Sequence, residues 1–314
     1  MKPVPTVAAE GVSLNNYCGL SVIIPYRNRR HCVNKCLQPL LKQKTSFPFE
    51  IIISDHGSTD GSIEYIVKKY KDYIGTGKIV ICMYPYGEKL GFNLARARNV
   101  GALYSNYNIL FTFDVDSICL NDILLERLHT NWFRLNWMAK FHGVRVLKAL
   151  APKHLTKAEK VNFDNLPYRS NGVVIKTVGW GNSLFHKNLV FHIGGWAQET
   201  FTGKGYEDLA FFLLAFRQGY YPVQDFLTKN RKKNMWLHNR KDKELPPHMR
   251  VETHDMWEGG SSPTDKKDSY KKFRVLVHTR PMIMHNNTDW TKLVQETETI
   301  GNVRQSKGNT IHQS

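Results

Sequence analysis

Four short apolar segments alternate with helical patterns in the first 120 residues, and this alternation constrains the fold more than any other feature. The segments are residues 20–25, 50–55, 78–83 and 108–113, each rich in β-branched residues and short enough to be a buried strand. Apolar residues at helical spacing separate them, at residues 29–44, after the capping residues 58–62, and at residues 93–105. Pro39 predicts a break or a distorted turn late in the first helix. The β-α-β-α-β-α-β order predicts an α/β fold, with a mainly parallel sheet covered by helices on both faces.

Polar clusters follow three of the predicted strands. They are Pro25-Tyr26-Arg27, Asp55-His56-Gly57 and Asp114-Val115-Asp116. In open parallel sheets, ligands bind beyond the carboxyl ends of the strands. The sequence therefore predicts one site to which these three clusters contribute.

The Asp114-Val115-Asp116 cluster predicts a metal site. Residues i and i+2 of an extended segment project to the same side, so the two carboxylates would repel each other without a cation. Hard oxygen ligands suit Mg²⁺ or Mn²⁺, which usually also coordinate substrate phosphates. The alternative is a pair of solvated loop aspartates or a helix cap, but the apolar strand before the motif disfavours a mere surface turn.

The first two clusters predict contacts with a nucleotide. Arg27 and Arg29 directly follow the first strand, and guanidinium groups suit a diphosphate. Tyr26 can pack on a base, and Asp55 can accept hydrogen bonds from a uracil or a ribose. A solvated basic turn for the arginines, and an Asx-turn or N-cap role for Asp55, remain open as alternatives.

A second pair of acidic residues predicts a general base. Residues 203–208 form a Gly-rich loop that ends in Glu207 and Asp208 and leads into a helix. One carboxylate can take the proton of an acceptor hydroxyl, whereas the alternative is that both only cap the helix. Further along the chain, His278 and His285 are candidate metal ligands, since Mn²⁺ accepts imidazole more readily than Mg²⁺ does.

The formal net charge of +17 favours anionic partners, and residues 229–280 read as long basic loops that carry a large share of it. An acidic glycan acceptor, an anionic membrane surface and plain solvation all fit those loops. A nucleic-acid-binding protein is disfavoured because acidic clusters at the strand ends oppose phosphate binding.

The sequence contains no apolar run of the length of a membrane span and no pattern of a signal peptide. This predicts a cytoplasmic protein with at most peripheral membrane contact. The five cysteines form no zinc pattern and are expected to be reduced and mostly buried.

Several motifs, in order along the chain, resemble those of GT-A-fold glycosyltransferases. The likeness is to the β-1,4-galactosyltransferases and the related chondroitin-type N-acetylgalactosaminyltransferases, and it covers about residues 20–290. The motifs are residues 24–29 (Ile-Pro-Tyr-Arg-Asn-Arg), 92–101 (Phe-Asn-Leu-Ala-Arg-Ala-Arg-Asn-Val-Gly), 113–116 (Phe-Asp-Val-Asp, followed by Asn121-Asp122), 194–196 (Gly-Gly-Trp), 203–208 (Gly-Lys-Gly-Tyr-Glu-Asp) and 282–285 (Met-Ile-Met-His). Residues 54–61 (Ser-Asp-His-Gly-Ser-Thr-Asp-Gly) are instead similar to the Asp-Gly-Ser-Thr-Asp-Gly signature of the broader family 2 transferases.

The resemblance implies a role for each matched residue. Asp116 and His285 would bind Mn²⁺, or Mg²⁺ in its place, and Asp114 would orient the nucleotide or the metal. The other contacts with the nucleotide sugar would come from Pro25, Tyr26, Arg27, Arg29, Asp55, Arg98, Val115 and Trp180. Glu207 would hold the acceptor sugar, and Asp208 would be the catalytic base. Tyr206 stands where the family has Gly and the loop lacks the family's Trp, so the acceptor contacts are expected to differ.

The resulting hypothesis is an inverting, Mn²⁺-dependent glycosyltransferase that moves a hexose or N-acetylhexosamine, with galactose or N-acetylgalactosamine favoured, from a UDP-sugar to a glycan hydroxyl. A catalytically inactive sugar-nucleotide or glycan-binding module and a nucleotidyltransferase remain alternatives. Residues 1–19 are expected to be an extension and residues 301–314 a disordered tail. Residues 20–300 are expected to be one catalytic domain, with a nucleotide-binding half at 20–120 and an acceptor-binding half at 121–300 that contains the basic loops.

Overall fold

The structure is a computed structural model. It describes residues 19–87, 91–119, 122–126, 128–130, 132, 145–148, 183–203, 205–217, 220–223, 236–237, 268, 271–272 and 288–301. The strands are β1 (Leu20–Tyr26), β2 (Phe49–Asp55), β3 (Ile79–Met83), β4 (Ile109–Thr112), β5 (Ile118–Cys119), β6 (Arg145–Lys148), β7 (Ser183–His186), β8 (Tyr220–Val223), β9 (Trp236–Leu237) and β10 (Glu298–Ile300). The helices are α1 (Arg30–Leu41), α2 (Ser62–Lys69), α3 (Lys71–Gly75), α4 (Leu94–Leu103), α5 (Lys187–His192), α6 (Glu207–Arg217) and α7 (Trp290–Gln295).

A six-stranded sheet in the order β10-β3-β2-β1-β4-β7 forms the centre of the fold. The four inner strands run parallel, and β10 and β7 close the two edges antiparallel to their neighbours. From β1 the chain moves outward through β2 to β3, then returns to place β4 on the other side of β1. The strand order thus reverses between β1 and β4, which is where open α/β sheets bind ligands.

Helices cover both faces of the sheet because its strands are apolar on both sides. Alternate residues of a strand point to opposite faces, and in β1 the side chains of Val22 and Ile24 lie in one buried cluster while Ile23 lies in another. The first cluster includes residues of α1, α2 and α3, and the second includes residues of α4, α5 and α6. A third cluster packs α4 and α7 against β2 and β3.

Helix α4 packs closely on the central strand β1. A Cβ atom at Gly101 would overlap the side chain of Ile23, so only glycine allows this approach of helix and strand. Nearly the whole helix is buried, including the polar residues Arg96, Arg98 and Asn99. Such residues must find partners within the protein, and those partners help to define the site described below.

The predicted α/β fold is confirmed, and the elements agree closely with those expected. A helix follows the Gly-rich loop, as predicted, and begins at Glu207; strands β1 to β4 begin and end within one residue of the predicted bounds. Pro39 lies inside the last turn of α1, which ends two residues later at Leu41. The four described cysteines are buried and unpaired. The predicted extension, basic loops and tail fall almost entirely outside the described residues, so the domain boundaries stay predictions.

Within the described part of the chain, no helix combines the length and the apolar character that a membrane span needs.

Candidate functional site

The carboxyl ends of β2, β1 and β4 lie side by side, so the three predicted polar clusters meet at one edge of the sheet. Tyr26 pairs in register with Asp55 on one side of β1. On the other side, Ile23 pairs with Thr112, and the Phe113 amide donates to the Ile23 carbonyl at 2.8 Å. Asp114 therefore lies at this edge of the sheet. The strand order reverses between Asp114, after β4, and the loop after β1 that carries Arg27 and Arg29.

Hydrogen bonds join the loop after β1 to the loop after β2. The Asn28 amide donates to Ser58 Oγ at 2.9 Å, and Asn28 Oδ1 accepts from the Thr59 amide at 2.7 Å. Asp60 Oδ2 accepts from the Arg30 amide at 3.0 Å, at the start of α1. Asn28 has a φ of 47°, a left-handed conformation that Asn tolerates better than most residues. These contacts fix the backbone on both sides of Arg29 at the sheet edge.

Asp55 is held in a local turn. Its two carboxylate oxygens accept hydrogen bonds from the amide and the hydroxyl of Ser58, and burial raises the pKa of this carboxyl. The Asx-turn alternative for Asp55 is thus present in the structure, and its contact with a nucleotide stays a prediction. Tyr26 belongs to the buried core and is 1% exposed. Its ring therefore packs within the protein, and the stacking of this ring on a base stays a prediction.

Asp114 and Asp116 are both half-buried and follow directly on the buried Phe113. The Ser117 amide donates to the Asp114 carbonyl at 2.9 Å, which turns the chain at the motif. Burial, and next the negative charge of Asp116, raise the pKa of the Cys32 thiol to about 11. Cys32 lies in the first turn of α1, so the Asp116 carboxylate is near the helix that Arg29 precedes.

Two half-exposed carboxylates at a sheet edge are suitable oxygen donors for Mn²⁺ or Mg²⁺. Among the described residues, no group of three His, Cys, Asp or Glu side chains comes together as a complete metal site. The predicted third ligand, His285, lies outside the described residues, as do His278 and the nucleotide candidate Trp180. The metal roles of Asp114 and Asp116 stay predictions.

Glu207 and Asp208 begin α6, as predicted, but the two residues have different surroundings. Glu207 is 2% exposed; its Oε1 accepts from Arg98 Nη1 at 2.9 Å, and its Oε2 accepts from the Gly205 amide at 2.7 Å. Burial and then the nearby charge of Asp208 raise the pKa of Glu207, while the Arg98 guanidinium opposes that rise. Asp208 is half-buried and thus more exposed than Glu207.

These contacts change the expectations for two residues. The resemblance implied that Glu207 holds the acceptor sugar, whereas both of its carboxylate oxygens contact protein donors. It also implied that Arg98 contacts the nucleotide sugar, whereas its guanidinium pairs with Glu207. The contact of Glu207 with the acceptor and that of Arg98 with the nucleotide sugar stay predictions. The two side chains pair with each other, which the sequence did not predict.

Sequence reasoning gave no role to Asn99, which ties α4 to a distant segment. Its Nδ2 donates to the Trp196 carbonyl and to Gln198 Oε1, both at 2.9 Å, and its Oδ1 accepts from the Trp196 amide at 2.8 Å. Asn93 adds a bond from its Nδ2 to the Gln198 carbonyl at 2.9 Å. Both asparagines lie in the motif at residues 92–101. That motif was the sequence signal from which a role for them could have been predicted.

His56 was seen only as part of the second polar cluster. It is fully buried, with its ring centroid 4.9 Å from that of Tyr84. Burial, and next the positive charges of Arg96 and Arg27, lower the pKa of His56 to about 4. The histidine is therefore neutral at physiological pH, and it adds no positive charge to the edge.

Comparison with known proteins supports the family-level prediction. Residues 21–168 match the sequence model of Glycosyl transferase family 2. That segment contains the polar clusters after β1, β2 and β4, together with helix α4. Over this segment the predicted likeness to glycosyltransferases is confirmed, and the match agrees with the family 2 signature at residues 54–61.

Two relatives are chondroitin synthases. That of Pasteurella multocida (strain Pm70) is 26% identical over 238 residues, which are 66% of this chain and 24% of the relative. That of Escherichia coli is 26% identical over 236 residues, which are 65% of this chain and 33% of the relative. The chain thus spans about a quarter to a third of the length of these curated relatives. Among solved structures, S. aureus TarS 1-349 in complex with UDP-GlcNAc gives a TM-score of 0.49 at 16% identity, covering 88% of this chain and 70% of that one.

Proposed function

We propose that this chain is an inverting glycosyltransferase that moves galactose or N-acetylgalactosamine from a UDP-sugar to a hydroxyl of a glycan. The observation that carries the proposal is the placement of Asp114 and Asp116 across the β1/β4 reversal from Arg27 and Arg29, inside the family 2 segment. Carboxylates on one side and guanidinium groups on the other suit a diphosphate that is bound together with a cation.

The cation in this proposal is Mn²⁺, with Mg²⁺ as a substitute. Asp116 and His285 would hold it and Asp114 would orient the nucleotide, and when bound it would neutralise charge on the leaving diphosphate. Arg27 and Arg29 would contribute positive charge to the same diphosphate. His56 would add no positive charge there, because burial lowers its pKa to about 4.

Asp208 is the proposed general base. It would accept the proton of the acceptor hydroxyl while that oxygen attacks the anomeric carbon and the bond from that carbon to UDP breaks. The sugar changes configuration because no enzyme nucleophile intervenes. The half-exposed position of Asp208 supports its choice over Glu207, which is only 2% exposed.

The proposed acceptor is an acidic glycan. Two chondroitin synthases are among the relatives, and the net charge of +17 favours an anionic partner. The likeness to those relatives also supports N-acetylgalactosamine among the candidate donors. The match to Glycosyl transferase family 2 gives no reason to expect nucleic acid as a partner.

A donor screen tests the proposal. The purified chain is incubated with Mn²⁺ and single UDP-sugars, with and without chondroitin oligosaccharides or neutral oligosaccharides of equal length, and released UDP is measured. We expect UDP release from UDP-galactose or UDP-N-acetylgalactosamine that rises when the acidic acceptor is added. If UDP binds but no donor turns over with any acceptor, the catalytically inactive binding module becomes the better account. Release of pyrophosphate from a nucleoside triphosphate and a sugar phosphate would favour a nucleotidyltransferase.

A further inference from the structure

Helix α4 connects the sheet edge with the segment that carries the proposed base. One face of the helix packs on β1 through Gly101, and a different part of it carries Arg98. The Arg98 guanidinium forms an ion pair with Glu207 at 2.9 Å, and both side chains are 3% exposed. A buried charge is stable only with a partner, so the position of Arg98 on α4 determines where the start of α6 can lie.

Glu207 passes this restraint to the loop in front of α6. One of its oxygens accepts from Arg98, and the other accepts from the Gly205 amide at 2.7 Å. Tyr206, which lies between Gly205 and Glu207, has a φ of 67°. Arg98 thus restrains the backbone from Gly205 to Glu207, directly before the proposed base.

Asp208 follows Glu207 in the first turn of α6. Successive residues of an α-helix are rotated by about 100° around its axis, so Glu207 can be enclosed while Asp208 stays partly exposed, as is observed. A shift of Glu207 would move the first turn and carry the Asp208 carboxylate with it. The proton transfer needs that carboxylate within hydrogen-bond distance of the acceptor hydroxyl.

We propose that Arg98 is a positioning residue for the transfer reaction, which acts through Glu207 to hold the carboxylate of Asp208. This inference rests on the proposed function, since it needs Asp208 to be the base. It gives Arg98 and Glu207 a purpose apart from contact with the nucleotide sugar or the acceptor. A pair that only stabilised the fold would leave the catalytic constants of the folded enzyme unchanged.

The same helix provides a matched control. Arg96, two residues before Arg98, pairs with Glu296 at 2.6 Å and so ties α4 to the segment after α7. Glu207→Gln and Glu296→Gln each remove one negative charge from an ion pair with α4, but only the first pair borders the proposed base. The Glu296 side chain is 24% exposed and that of Glu207 is 3% exposed, so the free energy of unfolding of each variant is measured beside its kcat.

The experiment measures kcat and KM for the donor and the acceptor in five proteins: the wild type, Glu207→Gln, Glu296→Gln, Arg98→Lys and the double variant Arg98→Met/Glu207→Gln. Probes are UDP-N-acetylgalactosamine or UDP-galactose, whichever the wild type turns over, with Mn²⁺ and chondroitin oligosaccharides. The double variant removes both buried charges, so it avoids an unpaired ion that could prevent folding. Circular dichroism confirms that each protein is folded.

We expect kcat of the double variant to fall by about 10²-fold, because a small misplacement of a catalytic group is costly. The donor KM should change by less than about 2-fold, and Arg98→Lys should retain more activity than the double variant. Glu296→Gln should keep the kcat of the wild type. If a folded double variant has the kcat of the wild type, or if Glu296→Gln loses as much as Glu207→Gln, the positioning role is overturned while the proposed function stands. A wild type that transfers no sugar overturns the proposed function and this inference with it.

Discussion

Asn99 offers a test of how the sheet is joined to the downstream part of the site. The side chain is fully buried in α4 and bonds three polar groups of the segment 196–198. Asn99→Ala removes the carboxamide without removing those groups. The Trp196 amide, the Trp196 carbonyl and the Gln198 side-chain oxygen then lose their Asn99 partner in a region where Trp196 and Gln198 are buried.

The expected loss can be worked out from these contacts. A buried polar group left without a partner costs about 1–3 kcal/mol. The Trp196 carbonyl still accepts from the Gln198 amide at 2.7 Å, so the cost falls mainly on the Trp196 amide and the Gln198 side-chain oxygen. Because these two groups are neighbours, their costs do not add fully, and we expect Asn99→Ala to lower the free energy of unfolding by about 2–4 kcal/mol. The free energy of unfolding of a typical domain is only about 5–15 kcal/mol, so the variant should be much less stable than the wild type.

Urea denaturation followed by circular dichroism measures this loss. The control is Asn34→Ala, which removes a half-buried asparagine bonded to the hydroxyls of Tyr65 and Tyr70 at 2.6 and 2.8 Å. Both bonds are only partly buried, and Tyr65 is half-buried although Tyr70 is buried, so the control should lose only about 1 kcal/mol. A loss below about 1 kcal/mol for Asn99→Ala, or one no larger than that of the control, would refute the reasoning.

Three further predictions concern the site. Asp208→Asn should bind UDP as the wild type does but transfer sugar about 10²-fold more slowly or worse; normal turnover would show that Asp208 is not the base. Tyr206→Gly should raise the free energy of unfolding by about 0.5–1 kcal/mol, because the φ of 67° is strained for tyrosine and easy for glycine; a lower denaturation midpoint would mean that contacts of the ring outweigh the strain. For His56, the folded-state pKa of about 4 lies below the ordinary 6.5, so the unfolded chain binds the proton first and stability should fall as pH drops from 6.5 towards 4. His56→Gln should show a smaller fall in urea titrations over that range, and an unchanged slope would contradict the assignment.

The elements around the sheet could be predicted from sequence because their signals are local. Parallel strands covered on both faces need continuous apolar runs, and the runs at β1 and β2 have few other interpretations. The convergence of residues 25–27, 55–57 and 114–116 was also predictable, since it requires only that parallel strands end at one edge. The order of the strands comes from packing and was not contained in any one of these motifs.

Long-range polar contacts could not be predicted. Arg98 and Glu207 are 109 residues apart, and Asn99 and Trp196 are 97 apart. Their pairing depends on how the segments before α6 pack against α4, which no spacing in the sequence encodes. The same reason explains why Glu207 and Asp208 looked equivalent as adjacent acids, although the structure encloses one of them and leaves the other partly exposed.

The central claim is that the carboxylates after β4 bind a cation together with a nucleotide diphosphate. Isothermal titration calorimetry of UDP into the wild type and into Asp116→Asn, each with Mn²⁺ and with a chelator, tests it most directly. We predict that the wild type binds UDP at least about 10-fold more tightly with Mn²⁺ than without it, and that Asp116→Asn loses this difference. Equal affinity of the wild type for UDP with and without Mn²⁺ would contradict the account.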